Sequence, residues 1–286
     1  MGRGIAQASA QAGHATILFD ALPGVPARAR TEIEATLDKG IARGKLTAAE
    51  KTAALERLRL ENELAPAVAE ADLVIEAVPE SLELKRDLFR ELDALAPGAI
   101  LGSNTSSLSI ADIAEVVGKP GRVLGLHFFN PVHLMRLVEI VVAPETEGVV
   151  VERVRSFVES LGKRPIVVRD SPGFATSRLG LTLGLEAMRM MEEGVATAVD
   201  IDLAMELGYN HPMGPLKLTD LVGLDVRLAI AEHLARTIDA TRFDPPGILR
   251  RLVEEGKLGM KTGEGFYLWR EGEAVPKQFP TKGVAR

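Results

Sequence analysis

The chain has 286 residues, of which 46% are hydrophobic, and its formal net charge is -6. This length suggests one large domain or two ordinary ones, and the acidic balance argues against nucleic acid as the main partner. The absence of cysteine excludes disulfides, thiol nucleophiles and cysteine metal sites. We find neither a signal peptide nor an apolar run that could span a bilayer, so we expect a soluble, cytoplasmic protein with no metal and no membrane partner.

The first residues have apolar side chains at helical spacing up to Gly13, and a short apolar strand, Ala15–Phe19, then ends on Asp20. A glycine-rich helix start, a strand and an acid at its end are typical of the second and third parts of a dinucleotide-binding βαβ unit. The first part of such a unit would be an apolar strand with two earlier glycines.

Further strand-like runs alternate with helical patterns, which favours a mostly parallel sheet with helices on both faces. The predicted strands are Leu73–Val78, Ala99–Leu101, Val123–Phe129, Leu137–Val142 and Ile166–Val168. The predicted helices include Glu83–Leu95 and Val149–Leu161. The charged segment over about 26–60, with a break near Gly44, is too polar for a core strand, and we predict a protruding helical hairpin there.

The pattern changes at "RDSPGF", where Pro172 and Gly173 punctuate the chain. The helical segments that follow are Phe174–Glu193, Asp200–Leu207, Leu218–Ile238 and Pro246–Glu255, and the next strand is Gly265–Trp269. We therefore predict an α/β domain over residues 1–170 and an all-α domain over residues 171–286.

His127 is placed near the end of a predicted strand in "VLGLHFFNP". Ligands collect at the carboxyl ends of strands in open α/β sheets, and a histidine there can act as a general base. The alternative is a structural histidine that donates one hydrogen bond to the backbone. Glu139 interrupts an apolar strand, where it either points to solvent on an edge strand or is paired. Together the two residues favour a buried carboxylate that orients an imidazole.

The segment "LGSNTSSLSIADI" ends a strand with small polar residues. Ser109 and Asp112 suit a helix-capping pair, which leaves Asn104, Thr105, Ser106 and Ser107 unexplained. No strand–elbow–helix motif supports a nucleophilic serine, so a hydroxyl that hydrogen-bonds a substrate oxygen is the better reading.

Glu80 follows another predicted strand, and Lys85 lies in the next helix. Their simplest interpretation is an exposed glutamate at a helix start and a surface lysine. The histidines at positions 14, 133, 211 and 233 have no metal-like spacing, and we assign them no role.

Six strings in the same order, "IEAVPE", "SNTSSL", "GLHFFNPV", "DSPGF", "HPMGP" and "KTGEGFY", closely resemble the L-3-hydroxyacyl-CoA dehydrogenases, in particular the 3-hydroxybutyryl-CoA dehydrogenase type. The resemblance runs from Gly2 to about Trp269. It implies a Rossmann-type domain that binds NAD, a helical domain through which the family forms a homodimer, and an acyl-CoA substrate.

The resemblance also implies roles for individual residues. His127 is the expected general base, Glu139 its partner and Ser106 the contact to the reacting oxygen. Asn130 matches an asparagine near the nicotinamide, and Asp20 matches the acid on the adenosine ribose, which favours NAD over NADP. Expected cofactor contacts are Gly2, Glu80 and Lys85, with Lys261 as a further one.

The sequence departs from the family pattern at two places. Ser177 stands where the family usually has an asparagine. We expect its side chain, which is shorter but still polar, to keep a contact in the catalytic site. Met1 and Gly2 match the last two residues of the family's G-x-G-x-M-G motif. We expect that the native protein begins upstream, because loss of a central strand would leave unpaired backbone edges.

The leading hypothesis is NAD-dependent oxidation of a short-chain (S)-3-hydroxyacyl-CoA. Lys39, Arg43 and Lys45 in the hairpin are candidates for contacts to the phosphates of CoA, although their charges also suit a solvated face. One alternative is a relative that acts on a non-CoA hydroxy acid, such as a sugar acid. Another is a non-catalytic scaffold with a defective cofactor loop.

Overall fold

The computed structural model describes residues 1–277 and Phe279, and the chain divides into two compact units. The N-terminal unit is Met1–Phe174, and the C-terminal unit starts at Ala175. A search of the described helices finds none with the length and apolar character needed to cross a membrane.

The N-terminal unit alternates helices and strands, which confirms the predicted α/β class. Its helices are α1 (Gly2–Gln11), α2 (Val25–Ala42), α3 (Ala48–Glu56), α4 (Leu64–Val68), α5 (Leu82–Leu95), α6 (Ile110–Ala114) and α7 (Gly148–Ser160). Its strands are β1 (Thr16–Phe19), β2 (Leu58–Glu61), β3 (Leu73–Glu76), β4 (Ile100–Ser103), β5 (Val123–Phe128), β6 (Leu137–Val142) and β7 (Arg164–Arg169).

A five-stranded sheet in the order β3-β4-β5-β6-β7 forms the centre of this unit. All its pairs are parallel except β5–β6. Every residue of β5 is buried, as expected for a strand covered by helices on both faces. Apolar side chains of α7, such as Val154, pack in one cluster with Leu126 and Ile140 of the sheet.

Strands β1 and β2 form a separate parallel pair. Among the described residues, no strand pairs with the second edge of β1 or of β3. Helix α1 packs beside both sheets, because Ile5 joins a cluster with Ile75 and Ala10 joins a cluster with Leu18.

The hairpin prediction over residues 26–60 is correct for α2 and α3 and wrong in two respects. Ile33, Leu37 and Ala54 are buried in a cluster with Ala10 of α1, so the hairpin packs on the unit instead of protruding. The end of the segment, Leu58–Glu61, is strand β2 and not hairpin. Only two of its four residues are apolar, and this pattern is too weak to predict a strand. The strand forms because it pairs with β1.

The C-terminal unit is mainly helical. Its elements are α8 (Thr176–Glu192), α9 (Ala198–Gly208), α10 (Pro215–Val222), α11 (Leu224–Thr237), α12 (Ala240–Phe243), α13 (Gly247–Glu254), β8 (Leu268–Arg270) and β9 (Glu273–Val275). The hairpin β8–β9 is a small exception to the predicted all-α character. The helix predicted over Leu218–Ile238 is two helices, since Gly223 has a φ of 105° and breaks the helical conformation.

Candidate active site

His127 and Glu139 are hydrogen-bonded to each other inside the N-terminal unit. The distance from Nδ1 of His127 to Oε2 of Glu139 is 2.7 Å. The Glu139 side chain is fully buried, and the His127 side chain is 9% exposed. This pairing confirms that the glutamate is not directed to solvent, and it excludes the reading of His127 as a histidine bonded only to backbone.

The sheet topology produces this contact. His127 on β5 and Glu139 on β6 are direct register partners in the antiparallel pair, so their side chains project from the same face. The connection from Phe129 to Arg136 is too short for the crossover that a parallel pair requires, which is why β6 runs back along β5.

Two phenylalanines flank the imidazole ring. The ring centroid of Phe129 is 4.4 Å from that of His127, and the ring centroid of Phe174 is 5.9 Å from it. These apolar contacts limit water around the ion pair that forms when His127 is protonated, and so strengthen its attraction to Glu139.

Glu80 organises the loop that follows β4. Its Oε1 accepts hydrogen bonds from Oγ1 of Thr105 at 2.7 Å and from the backbone N–H of Ser106 at 2.9 Å. The Ser106 hydroxyl also donates to it, at 3.3 Å. Burial raises the pKa of the Glu80 carboxyl, but the bonds from Thr105 and Ser106 and the charge of Lys85 outweigh burial and hold that pKa below its usual value.

Lys85 belongs to a buried network beneath this loop. Its Nζ donates to Oε1 of Glu76 at 2.6 Å, and the Ser103 hydroxyl donates to Oε2 of the same carboxylate at 2.6 Å. Lys85 also lies 3.4 Å from Oε2 of Glu80. The surface-lysine interpretation is therefore wrong, because the Lys85 side chain is only 1% exposed. The feature of the sequence that indicates this burial is Glu76, an acidic residue at the end of the apolar strand β3, which needs a buried cationic partner.

Asn104 connects three strand ends. Its Oδ1 accepts the backbone N–H of Phe128 at 2.9 Å, and its own N–H donates to the Glu76 carbonyl at 2.8 Å. Ser109 caps α6 as predicted, since its hydroxyl accepts the N–H of Asp112 at 3.1 Å. Asn104 thus fixes the end of β5 next to His127, a role that the sequence pattern left unexplained.

The first residues of the N-terminal unit fit a dinucleotide. No side chain of the described residues caps the N-terminus of α1, so the N–H groups of Gly2 and Arg3 remain available to an anion. A Cβ on Gly2 would lie 3.7 Å from that of Ala77, which places this helix end beside the end of β3. Asp20 directly follows β1, and one of its oxygens holds the N–H of Leu22 at 2.9 Å.

A cleft of about 290 Å³ opens beside α1. Arg3, Arg28, His133 and Asn130 are among its lining residues. Burial lowers the pKa of His133, and the positive charges of Lys163, Arg3 and Lys45 lower it further. Glu32, which also lines the cleft, forms an ion pair with Arg3. Sequence reasoning assigned no role to His133, Arg3 or Arg28, because they come from separate parts of the chain.

The remaining predicted residues lie at separate places. Lys39 is in the last turn of α2, and Arg43 and Lys45 follow that helix; all three are exposed. Of the three, Lys45 is the one whose positive charge lowers the pKa of His133, which lines the cleft. In the C-terminal unit, half-buried Ser177 lies in the first turn of α8, and Lys261 pairs with Asp225 at 2.5 Å.

Two family models match the chain. The model for the NAD binding domain of 3-hydroxyacyl-CoA dehydrogenase matches residues 1–171, and the model for the C-terminal domain of 3-hydroxyacyl-CoA dehydrogenase matches residues 173–269. Similar proteins include a 3-hydroxybutyryl-CoA dehydrogenase of Mycobacterium tuberculosis, 40% identical over 94% of this chain and 95% of that protein.

A mitochondrial hydroxyacyl-coenzyme A dehydrogenase of Rattus norvegicus is 41% identical over 94% of this chain and 88% of that protein. The crystal structure of (S)-3-hydroxybutyryl-CoA dehydrogenase PaaH1 from Ralstonia eutropha is similar with a TM-score of 0.91. Its sequence is 37% identical, and the match covers 95% of this chain and 96% of that one. With its paired histidine and glutamate at the end of a Rossmann-type sheet, this chain belongs to the NAD-dependent 3-hydroxyacyl-CoA dehydrogenases.

Proposed function

We propose that the chain oxidises the 3-hydroxyl group of a short-chain (S)-3-hydroxyacyl-CoA, such as 3-hydroxybutyryl-CoA, to the 3-oxoacyl-CoA. The observation that carries this proposal is the 2.7 Å bond between His127 and the buried Glu139. The names of the relatives from Mycobacterium tuberculosis and Ralstonia eutropha support the short acyl chain.

His127 is the proposed general base. The N–H at Nδ1 donates a hydrogen bond to Glu139. Nε2 therefore carries the lone pair that accepts the proton of the substrate hydroxyl. Glu139 then stabilises the imidazolium and keeps its orientation. A base positioned in this way contributes roughly 10²–10⁴-fold to the rate.

Ser106 is the proposed contact to the substrate oxygen. Its hydroxyl bond to Glu80 is long, at 3.3 Å, and the N–H of Ser106 already donates to the same oxygen at 2.9 Å. The hydroxyl can therefore turn toward the substrate while Glu80 keeps its strongest partners. Ser177, in the first turn of α8, is proposed as a further polar group of the catalytic site.

Several residues of this chain would hold NAD. The uncapped N–H groups of Gly2 and Arg3 suit the pyrophosphate, and Asp20 suits the adenosine ribose. Glu80, Lys85 and Asn130 are proposed near the nicotinamide half, and Lys261 is proposed as a contact from the C-terminal unit. When bound, NAD accepts a hydride from the carbon that carries the hydroxyl group.

The cleft beside α1 is the proposed binding site of the CoA portion. The Arg28 guanidinium suits phosphate oxygens, and Thr36 adds a hydroxyl in the same cleft. Arg3 also lines the cleft, where it pairs with Glu32. The positive charge of Lys45 lowers the pKa of His133 in this cleft, which supports a CoA contact for Lys45. Lys39 and Arg43 remain proposed contacts to the outer phosphates of CoA, since both lie at the end of the same helix.

We also propose a homodimer formed through the C-terminal unit, and a cytoplasmic location. The dimer is supported by large apolar side chains that this unit exposes, including Leu179 at 70% and Leu207 at 80%. Sedimentation of the intact chain tests it: a mass near twice that of one chain supports the dimer, and a monomer at micromolar concentration rejects it.

The activity is tested by the initial rate of NADH oxidation with acetoacetyl-CoA and with free acetoacetate. We expect turnover of the thioester to exceed turnover of the free acid by at least roughly tenfold, since the cleft contacts only the CoA portion. Equal rates would favour the alternative of a non-CoA hydroxy acid. No turnover of the thioester in either direction would overturn the proposal.

A further inference from the structure

Arg227 of α11 is a buried cation that has no partner among the described residues. Arg227 is 5% exposed, and its Nε is buried and makes no hydrogen bond to any described residue. No ion pair or hydrogen bond joins its guanidinium to another residue in the part of the chain that the structure describes. Burial lowers the pKa of Arg227 to about 10, so the group is still protonated at neutral pH.

The guanidinium lies over a glycine of the neighbouring helix. Nη1 of Arg227 is 3.6 Å, and Nη2 is 3.8 Å, from the point where a Cβ of Gly180 would lie. Apart from the neighbouring residues and backbone of α8 itself, no other described heavy atom lies within 4 Å of that point. The absence of a side chain at Gly180 therefore leaves a small space beside the charge.

A second unsatisfied donor lies one helical turn away. The side-chain oxygen of Thr219 on α10 is buried, makes no hydrogen bond, and lies 3.0 Å from the Cβ position of Gly184. Positions four residues apart on a helix are neighbours, about 5–6 Å apart. The guanidinium and the hydroxyl thus lie against the same face of α8, at glycines one helical turn apart.

We propose that a small monovalent anion, chloride or a carboxylate the size of formate or acetate, binds over Gly180 between α8, α10 and α11. It accepts hydrogen bonds from the Arg227 guanidinium and the Thr219 hydroxyl. Arginine does not lose its proton in proteins, so the charge itself needs compensation. A water molecule would satisfy the donors and leave that charge unbalanced.

The burial of Arg227 argues for a small free anion over a carboxylate of a second chain. A side chain of a partner needs an open path to the guanidinium, and only 5% of this residue is exposed. The site lies in the C-terminal unit and is independent of the proposed activity.

The test compares thermal unfolding of the full chain in sodium chloride, sodium acetate and sodium gluconate at equal ionic strength, without substrate. For the unaltered chain we expect a saturable rise in Tm of about 5 °C with chloride or acetate and none with gluconate, whose anion is too large. A rise with acetate alone identifies a carboxylate site, and a rise with chloride identifies a halide site. Chloride NMR gives a direct readout, as line broadening in the presence of the protein.

Two variants should lose the response. Arg227→Met removes the charge at similar length. Gly180→Ala fills the space with a methyl group at an ordinary contact distance and also favours the helix, so it should fold at least as well. Gly208→Ala is the matched control, because nothing lies near its Cβ position, and it should keep the response.

Three outcomes would overturn the proposal. One is the same Tm in all three salts, with no chloride broadening, which indicates water alone. Another is an unchanged response in Arg227→Met. The third is a dimer that dissociates in Arg227→Met while neither anion affects the unaltered chain, because the counter-charge would then come from the second copy.

Discussion

His127 and Glu139 face each other across the one antiparallel pair of an otherwise parallel five-stranded sheet in the described N-terminal unit. The glutamate side chain is fully buried, and the histidine side chain is 9% exposed. An isolated buried carboxylate would cost free energy of folding. The hydrogen bond from the His127 imidazole reduces that cost for Glu139, while Glu139 orients the imidazole. The same contact thus serves the stability of the sheet and the proposed proton transfer.

Replacement of His127 by Gln should remove the base while keeping a hydrogen-bonding side chain of similar reach. We expect kcat to fall by roughly 10²–10⁴ with little change in the Kd of NADH. Steady-state kinetics with acetoacetyl-CoA and a fluorescence titration of NADH measure the two quantities. A variant with unchanged kcat would reject the assigned base.

Replacement of Glu139 by Gln should preserve the shape of the side chain and remove its charge. The imidazolium would then lack its buried counter-charge, and we expect kcat to fall by roughly 10²–10⁴. Glu152→Gln, on the exposed surface of α7, is the matched control and should leave kcat unchanged. If both variants behave alike, Glu139 does not act on His127.

Glu80→Gln should weaken the loop around Ser106 in a pH-dependent way. The pKa of the Glu80 carboxyl is lowered from 4.5 in the folded chain, so its contribution to stability is present above pH 4.5 and is lost as the pH falls through the folded value. Urea midpoints of the unaltered chain and the variant should therefore differ most near pH 7 and converge below pH 4.5. A difference that stays constant with pH would show that the charge of Glu80 is unimportant.

Arg28→Ala should weaken binding of the CoA portion and leave the chemical step intact. Loss of one charged hydrogen bond to a phosphate corresponds to a KM for acetoacetyl-CoA that is roughly 10–150-fold higher, with kcat nearly unchanged. The effect should shrink at high salt as the charges are screened. Arg59→Ala, on β2 and outside the cleft, should not change KM.

Gly125→Ala should destabilise the sheet next to the catalytic pair. The added Cβ would lie 2.7 Å from Cβ of Val141 and 2.9 Å from Cδ1 of Ile110, so a packed core would have to shift. Overpacking of this kind costs about 1–3 kcal/mol of the free energy of unfolding. Chemical denaturation measures the loss, and Gly148→Ala, with no atom near its Cβ position, should show none.

Local pattern alone predicted the elements that carry the histidine and the glutamate. Strand β6 has the predicted bounds, and β5 is one residue shorter than predicted. A charged residue inside an apolar strand indicates a buried partner, and a histidine at the end of a neighbouring strand is a suitable one. The pairing of His127 with Glu139 was therefore predictable from chemistry, whereas their register and 2.7 Å distance were not.

The sequence by itself determined the α/β class, the order of the elements and the chemistry of the candidate site, because these depend on periodicity and residue type over short stretches. Only the tertiary structure decided that Lys85 is buried against Glu76, that Asn104 holds the end of β5, and that Arg3 and Arg28 share one cleft. Each of these facts depends on contacts between segments far apart in the chain. Whether a charged side chain is solvated or paired is set by what the fold places next to it, and a local pattern carries no information on that.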